Sequence, residues 1–201
     1  MGAVAELFWI GSYDSTTIDQ ICEKAGVKKG SFYYFFDGKS ALAEAALDFE
    51  WEQYRPKLDA IFSASVPPLQ RIRDHCEFTL REQAELKAKH GCVLGCPLCT
   101  LGTEISTQDE GLQKKVQAIM AHSAKYLETA IRDAHAAGLI HAPNPRSKAA
   151  VLHAYHLGLL TQARIENNLE LLAELTVTTF QWLGVDPPAR PVPKRRRPVA
   201  A

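Results

Sequence analysis

Several features that would announce particular classes of protein are missing from this 201-residue chain. It has no net charge: 23 Lys and Arg face 23 Asp and Glu, so no global field draws it to nucleic acid. No apolar run reaches the ~20 residues that a membrane span needs, and the longest uncharged stretch, Ala149 to Ala163, falls short. Ala3 to Ile10 is apolar but has no basic residue ahead of it, so no secretory signal is expected. Five cysteines, an odd count without secretory context, predict reduced thiols in a cytoplasm. There is no phosphate-binding loop, no Cys–His–acid spacing and no internal repeat, so neither an enzyme nor a cofactor is expected.

What is present is helical periodicity, and the expected fold class is all-α, with about nine helices. Residues 16–39 read as two short helices around a sharp turn. Thr17 with Gln20 fits a capping box, and Gly26 falls where the chain must turn. Ile18 and Ile21 give the first of these helices an apolar edge, and Cys22 is small enough for close approach. Val27, Phe32 and Phe35 are expected on the inner face of the second, at about 28–34. Lys28, Lys29, Ser31, Tyr33 and Tyr34 remain as donors on or near its outer face. The local cluster Lys24, Lys28, Lys29 and Lys39 supplies the positive charge that the whole chain lacks.

Further along, Ala3–Ile10 reads as a first helix, with Val4, Leu7 and Phe8 facing the helix-turn-helix. Asp37 is placed to cap a long helix that Pro56 breaks or kinks. Helical spacing then continues from Leu69 to Lys89, from Pro97 through Leu98, Leu101 and Ile105, and from Asp109 to Ala137. The helix from Ser147 to Arg164 is apolar almost all round, so one face must meet its own domain and another something else. With a last helix over Leu169–Leu183 it forms the expected dimer interface, a four-helix bundle about a two-fold axis. The residues assigned to it are Ala150, Ala154, Leu157, Gly158, Thr161, Leu172, Leu175 and Thr179. The expected organisation is a helix-turn-helix domain over 1–48, a ligand-binding and dimerisation domain over 49–185, and a disordered basic tail over 186–201.

Ala25-Gly26-Val27, Lys29-Gly30-Ser31-Phe32-Tyr33, Phe36, Lys39 and Leu42 together resemble the N-terminal domain of TetR-type transcriptional regulators. Cys22 stands where that pattern has alanine and Ser12 where it has glycine. The chain also begins inside the first helix of the pattern, without the basic arm that precedes it there. The resemblance implies a three-helix DNA-binding head in a homodimer, reading double-stranded DNA at a palindromic operator and released by a small molecule, most often as a repressor. It implies that Thr17, Tyr33, Tyr34 and Lys39 hold phosphates, that Lys28, Lys29 and Ser31 face base edges, and that Gly30 admits backbone to the duplex.

The same resemblance puts a ligand cavity between the head and the dimer helices. Cys76, Cys96, Cys99, His122, Tyr126, Tyr155 and His156, together with His75, are the residues expected to line it. The cysteines admit three readings: small lining residues, thiol-based sensing, or a zinc site requiring a fourth ligand. Cys92, Cys96 and Cys99 would share one face if their segment were a continuous helix, with His90 nearby. Gly95-Cys96 opening a helix, with Leu152, Ala154, Leu157, Gly158 and Gln162-Ala163-Arg164-Ile165 later, is similar to a TetR subgroup that includes sensors of reactive electrophiles. Members of that subgroup that sense through a thiol carry it where Ser106 stands here. Cys99 would have to substitute for it here. The shortened first helix motivates the alternative reading, a thiol- or metal-sensing module with weakened DNA binding.

Overall fold

Ten helices and no strand make up the regular structure of the described residues, 2–189, in the computed structural model. They are α1 (Gly2–Ile10), α2 (Ile18–Ala25), α3 (Lys29–Phe35), α4 (Lys39–Ile61), α5 (Pro68–His90), α6 (Pro97–Ile105), α7 (Glu110–Ala136), α8 (Pro145–Glu166), α9 (Glu170–Ala173) and α10 (Leu175–Leu183). The basic tail expected after Asp186 lies, from residue 190 onward, outside the described residues.

Local chemistry sets most of the boundaries. Thr17 accepts from the Gln20 N–H at 3.2 Å while the Gln20 side chain accepts from the Thr17 N–H at 2.8 Å, which closes the capping box of α2. Gly26 ends that helix at φ 67°, with the Val27 N–H reaching back to the Cys22 carbonyl at 2.9 Å. Asp109 caps α7 by accepting from the Leu112 N–H, and Asn144 caps α8 by accepting from the Ser147 N–H.

Four expectations need correction. Gly38, not Asp37, stands at the N-cap of α4, with no side-chain cap. Pro56 does not end that helix, which continues to Ile61. Pro56 and Glu52, whose carbonyl loses its donor, are both exposed, so water can replace the missing N–H. The helix expected over 169–183 is two, α9 and α10, because the Glu174 N–H turns to the Leu172 carbonyl and interrupts the ladder. Of the expected inner face of α3, only Phe32 is buried, while Val27 and Phe35 are 46% and 72% exposed. Phe36 fills that place instead: the backbone extends at φ −137°, and its ring comes within 5.8 Å of Phe32.

Two main clusters of buried side chains organise the chain. One joins Val4, Phe8, Tyr13, Ile21, Phe32 and Leu42 of the head to Leu101, Ile105, Leu112 and Val116 of α6 and α7. Head and body therefore share a core. The other packs Leu58, Ile72, Leu127, Ile131, Leu152 and Phe180 together deeper in the body. Polar contacts reinforce the joint: Glu104 of α6 accepts from the Ser12 hydroxyl at 3.1 Å and from the Asp14 N–H, and Lys115 pairs with Asp48 at 2.6 Å. Ser12 thus uses its hydroxyl here.

The segment from Gly91 to Cys96 is not helical, so Cys92 does not share a helical face with Cys96 and Cys99. It is held by side chains from three sides. Gln83 bonds both the N–H and the carbonyl of Gly95, at 2.8 and 3.0 Å. Trp9 Nε1 and Arg164 both donate to the Leu94 carbonyl, and Asn167 accepts from the Val93 N–H. Gly95 itself sits at φ 67°, and a Cβ there would fall 2.9 Å from the Leu160 carbonyl oxygen of α8. Gly95→Ala should therefore lower stability by about 2–3 kcal/mol through backbone strain and lost contact with α8. A shift in the urea midpoint measures it, and an unchanged midpoint contradicts the close approach.

Candidate functional site

Two sites emerge, one on the head and one within the body. On the head, α2 and the Gly26 turn present α3 outward. Lys28, Lys29, Gly30, Ser31, Tyr33 and Tyr34 are all exposed, Tyr34 at 82%. Thr17, at the start of α2, is exposed too, but its hydroxyl is engaged with Gln20. Lys29 forms an exposed ion pair with Asp19 at 2.8 Å, which raises its ammonium pKa chiefly through the hydrogen bond. An exposed pair of this kind is weak and exchanges readily for a phosphate. Lys39 is placed differently from its neighbours. Its ammonium donates to the Tyr13 and Thr16 carbonyls, at 2.8 and 3.2 Å, and lies 4.3 Å from the Tyr13 ring centroid. In this arrangement it ties the 13–16 turn to α4. The exposed donors are lysine, hydroxyl and backbone groups, which suit phosphate oxygens and base edges.

Inside the body, α1, α4, α5, α6, α7 and α8 enclose a cavity of about 500 Å3. Such a volume suits a small organic molecule. Trp9, Trp51 and Tyr54 give it aromatic walls; Leu101, Ile119 and Leu157 give it apolar ones. Exposed residues in its lining, Gly2, Glu50, Gln53 and Lys89, mark the side that meets solvent. Burial, and then Glu82, raise the Tyr54 phenol, and burial raises Glu82 against the opposing pull of Lys57 at 3.6 Å.

Of the residues expected to line this cavity, Cys96, His156 and the accompanying His75 do so. The other five do not. Cys76 is buried between α5 and α10, with its Sγ 3.8 Å from Thr179 Oγ1, and burial pushes its thiol up to about 12. Cys99 lies on α6 beside Cys96, outside the lining. His122 is exposed and stacks on Trp51 at 6.1 Å. Tyr126 bonds Asp59 and packs on Phe62, and Tyr155 bonds Thr178 at 2.7 Å. None of the five is in the lining. Trp9, Tyr54, Thr79, Gln83 and His153 were not anticipated as lining. His153 was within reach of the sequence, since its i,i+3 spacing to His156 puts both imidazoles on one face of α8.

The dimer assignment divides in the same way. Ala150, Ala154, Gly158 and Thr161 are exposed on α8. Leu172, Leu175 and Thr179 are buried within the chain, and Leu157 is half-buried on the cavity wall. Residues not anticipated complete the outer face: Val151, Tyr155 and Ile165 on α8, with Val177 and Trp182 on α10, all large and exposed.

A helix-turn-helix head on an all-helical body with an internal cavity defines a DNA-binding transcriptional regulator. A family profile described as "Bacterial regulatory proteins, tetR family" matches residues 2–46, and one described as "Tetracyclin repressor-like, C-terminal domain" matches residues 68–178. The chain belongs to the TetR family. It is 28% identical over 160 residues to the HTH-type transcriptional repressor NemR of Escherichia coli, covering 77% of each chain. It superposes on the crystal structure of the reduced form of that protein with TM-score 0.79 at 24% identity, covering 94% of this chain and 96% of the other. A regulatory protein TetR from Rhodobacter sphaeroides gives TM-score 0.76 at 26% identity, with 88% and 93% covered. No helix among the described residues is long and apolar enough to cross a membrane.

Proposed function

We propose that two copies of this chain pair through the outer face of α8 and α10, read a short palindromic DNA operator with their α3 helices, and release it when a small molecule enters the cavity. The observation that carries this reading is the combination within one chain of an outward α3, bearing Ser31, Tyr33 and Tyr34 with Lys28 at its N-cap, and an enclosed cavity whose walls include α1 and α4. Those two helices also pack in the core of the head, so the cavity and the DNA-reading surface have walls in common. Ligand acts only through a difference in affinity between the bound and released arrangements.

Fluorescence anisotropy with duplex from the region upstream of the protein's own gene tests the DNA half. Binding should be at least a hundredfold tighter than to random duplex at the same salt. Lys28→Ala with Tyr34→Ala should weaken it by about tenfold or more without moving the melting temperature, since both side chains are exposed. Equal affinity for random duplex would count against specific regulation.

A second reading, a thiol-responsive module, draws support from Cys96-Pro97-Leu98-Cys99 at the start of α6. The two thiols act on each other, Cys96 being pushed up by Cys99 and by burial, and Cys99 pulled down by Cys96. A proton shared across such a pair leaves one sulfur more reactive. Alkylation of Cys99 that leaves operator binding untouched would remove this reading.

A further inference from the structure

The cavity has one polar wall without a counter-charge. His75 on α5 and His153 and His156 on α8 all line it, and the rings of His75 and His156 stack at 5.8 Å with an interplanar angle of 18°. His156 is 97% buried by its 3% exposure, and its Nε2 is 2.9 Å from Thr179 Oγ1. The Nδ1 atoms of both His75 and His156 are buried with no hydrogen-bond partner among the described residues. Such unpaired groups are costly, and they are uncommon enough to call for a role.

The charges around this wall are accounted for elsewhere. On α4, Lys57 pairs with Glu82 of α5, and Glu50 lies on the solvent side. On α1, Glu6 pairs with Lys89 and His90. Tyr54 is a neutral phenol, and Cys96 is held as a thiol. From α10 only the Thr179 hydroxyl reaches His156, and from α7 the lining is Ile119, Met120 and Ser123. Burial lowers all three imidazoles; neighbouring histidines lower His75 and His156 further, and no carboxylate raises any of them. The wall is neutral at neutral pH and has room for one negative charge that arrives together with a proton.

From this geometry we infer that the effector is a weak organic acid with an aromatic or branched apolar body, its carboxyl seated against His75, His153 and His156 and its body against Trp9, Trp51 and Tyr54. A bare carboxylate would be costly in so enclosed a place. The ligand therefore enters as carboxylate plus one proton taken from solvent, leaving the complex with the charge of the empty site. Either an imidazolium–carboxylate pair or a carboxylic acid bonded to neutral imidazole meets that balance. The inference rests on the cavity being the effector site.

The test uses the full chain and phenylalkanoates from phenylacetate to phenylhexanoate, each beside its carboxamide. Calorimetric titration in buffers of different ionisation enthalpy should report uptake of about one proton for an acid. Its affinity should rise about tenfold per unit of falling pH between pH 8 and 6. The amides should bind at least tenfold more weakly at pH 6 and show no pH dependence. His156→Gln should remove most of the preference for acid over amide. His153→Gln, at a half-buried position, is the companion variant should the first not fold. Amides binding as tightly as acids, with no proton uptake, would overturn the acid class and leave the cavity standing as the effector site. Failure of every acid and amide to bind, by calorimetry or by quenching of Trp9 and Trp51, would overturn this inference and count against the cavity reading too.

Discussion

Glutamate at both Val151 and Ile165 should leave the chain folded but monomeric, and should weaken operator binding by about a thousandfold or more. Both side chains are large, apolar and exposed, Ile165 at 72%. They lie on one stripe of α8 with Tyr155 and Gly158, at successive spacings of four, three and seven residues that keep a single helical face. A contiguous face of this kind on a soluble protein marks an association surface. The partner copy would bring the same stripe to the interface, so the two substitutions put four glutamates into one apolar contact. The consequence for DNA follows from the paired readout. A dimer gains the contacts of two heads in one binding event, whereas a lone head falls back toward the range of ~10⁻⁴–10⁻⁶ M typical of nonspecific binding. Analytical ultracentrifugation with circular dichroism checks the first part, and anisotropy on the operator checks the second. A variant that stays dimeric would place the interface elsewhere.

Acid should destabilise the free protein well above the pH at which carboxylates normally titrate. His75 is lowered to about 4, chiefly by burial and then by His153, from an ordinary value of 6.5. A histidine whose folded value is depressed contributes stability that is complete above about pH 6.5. That stability is lost as pH falls toward 4, because the unfolded chain takes up the proton first. The slope is about 1.4 kcal/mol per pH unit for each such group, or about 3 kcal/mol for His75 across the window. His153 and His156 act in the same direction, being lowered mainly by burial. Glu50 and Glu82, whose carboxyls are raised chiefly by burial, oppose the loss in part. Urea midpoints at pH 7.5 and pH 5.0 should therefore differ clearly, and His75→Phe, which keeps a flat ring in the wall, should narrow the difference. Equal midpoints at the two pH values would show that the imidazoles reach water in the folded state.

The parts of this molecule that could be read from the chain were those decided within a few residues of sequence. The capping box at Thr17 and Gln20 and the turn at Gly26 are local bonds, and the residue types dictate them. Helical periodicity likewise found α5, α7 and α8 nearly whole. What stayed hidden was which face of a buried helix meets which neighbour. Leu172, Leu175 and Thr179 have the spacing of an interface, but that spacing serves equally to bury them against α5 and α8. His122 and Tyr126 are polar aromatic residues on the same helix as the cavity-lining Ile119 and Ser123. Each stands three residues from one of those two, on the same stripe of α7, yet His122 lies exposed against Trp51 and Tyr126 is taken by Asp59 and Phe62. Pro56 did not end its helix: on an exposed face, a tertiary fact, water can take the place of its missing N–H at the Glu52 carbonyl.

The uninterrupted run of α4 has a mechanical consequence. Its 23 residues make a rod about 35 Å long at about 1.5 Å of rise per residue. Leu42, Ala43 and Ala46 seat one end in the head, and Trp51, Tyr54 and Leu58 form cavity wall at the other. A tilt of about 5° pivoted at the cavity end would carry the far end sideways by about 3 Å. In a two-fold pair the opposed displacements would add, changing the separation of the heads by up to about 6 Å against a half-site repeat of about 34–36 Å. Hydrogen bonds to base edges tolerate well under about 1 Å of such error. A lever of this length needs only a degree or two of motion at the wall, less than the adjustment a few repacked aromatic rings can produce.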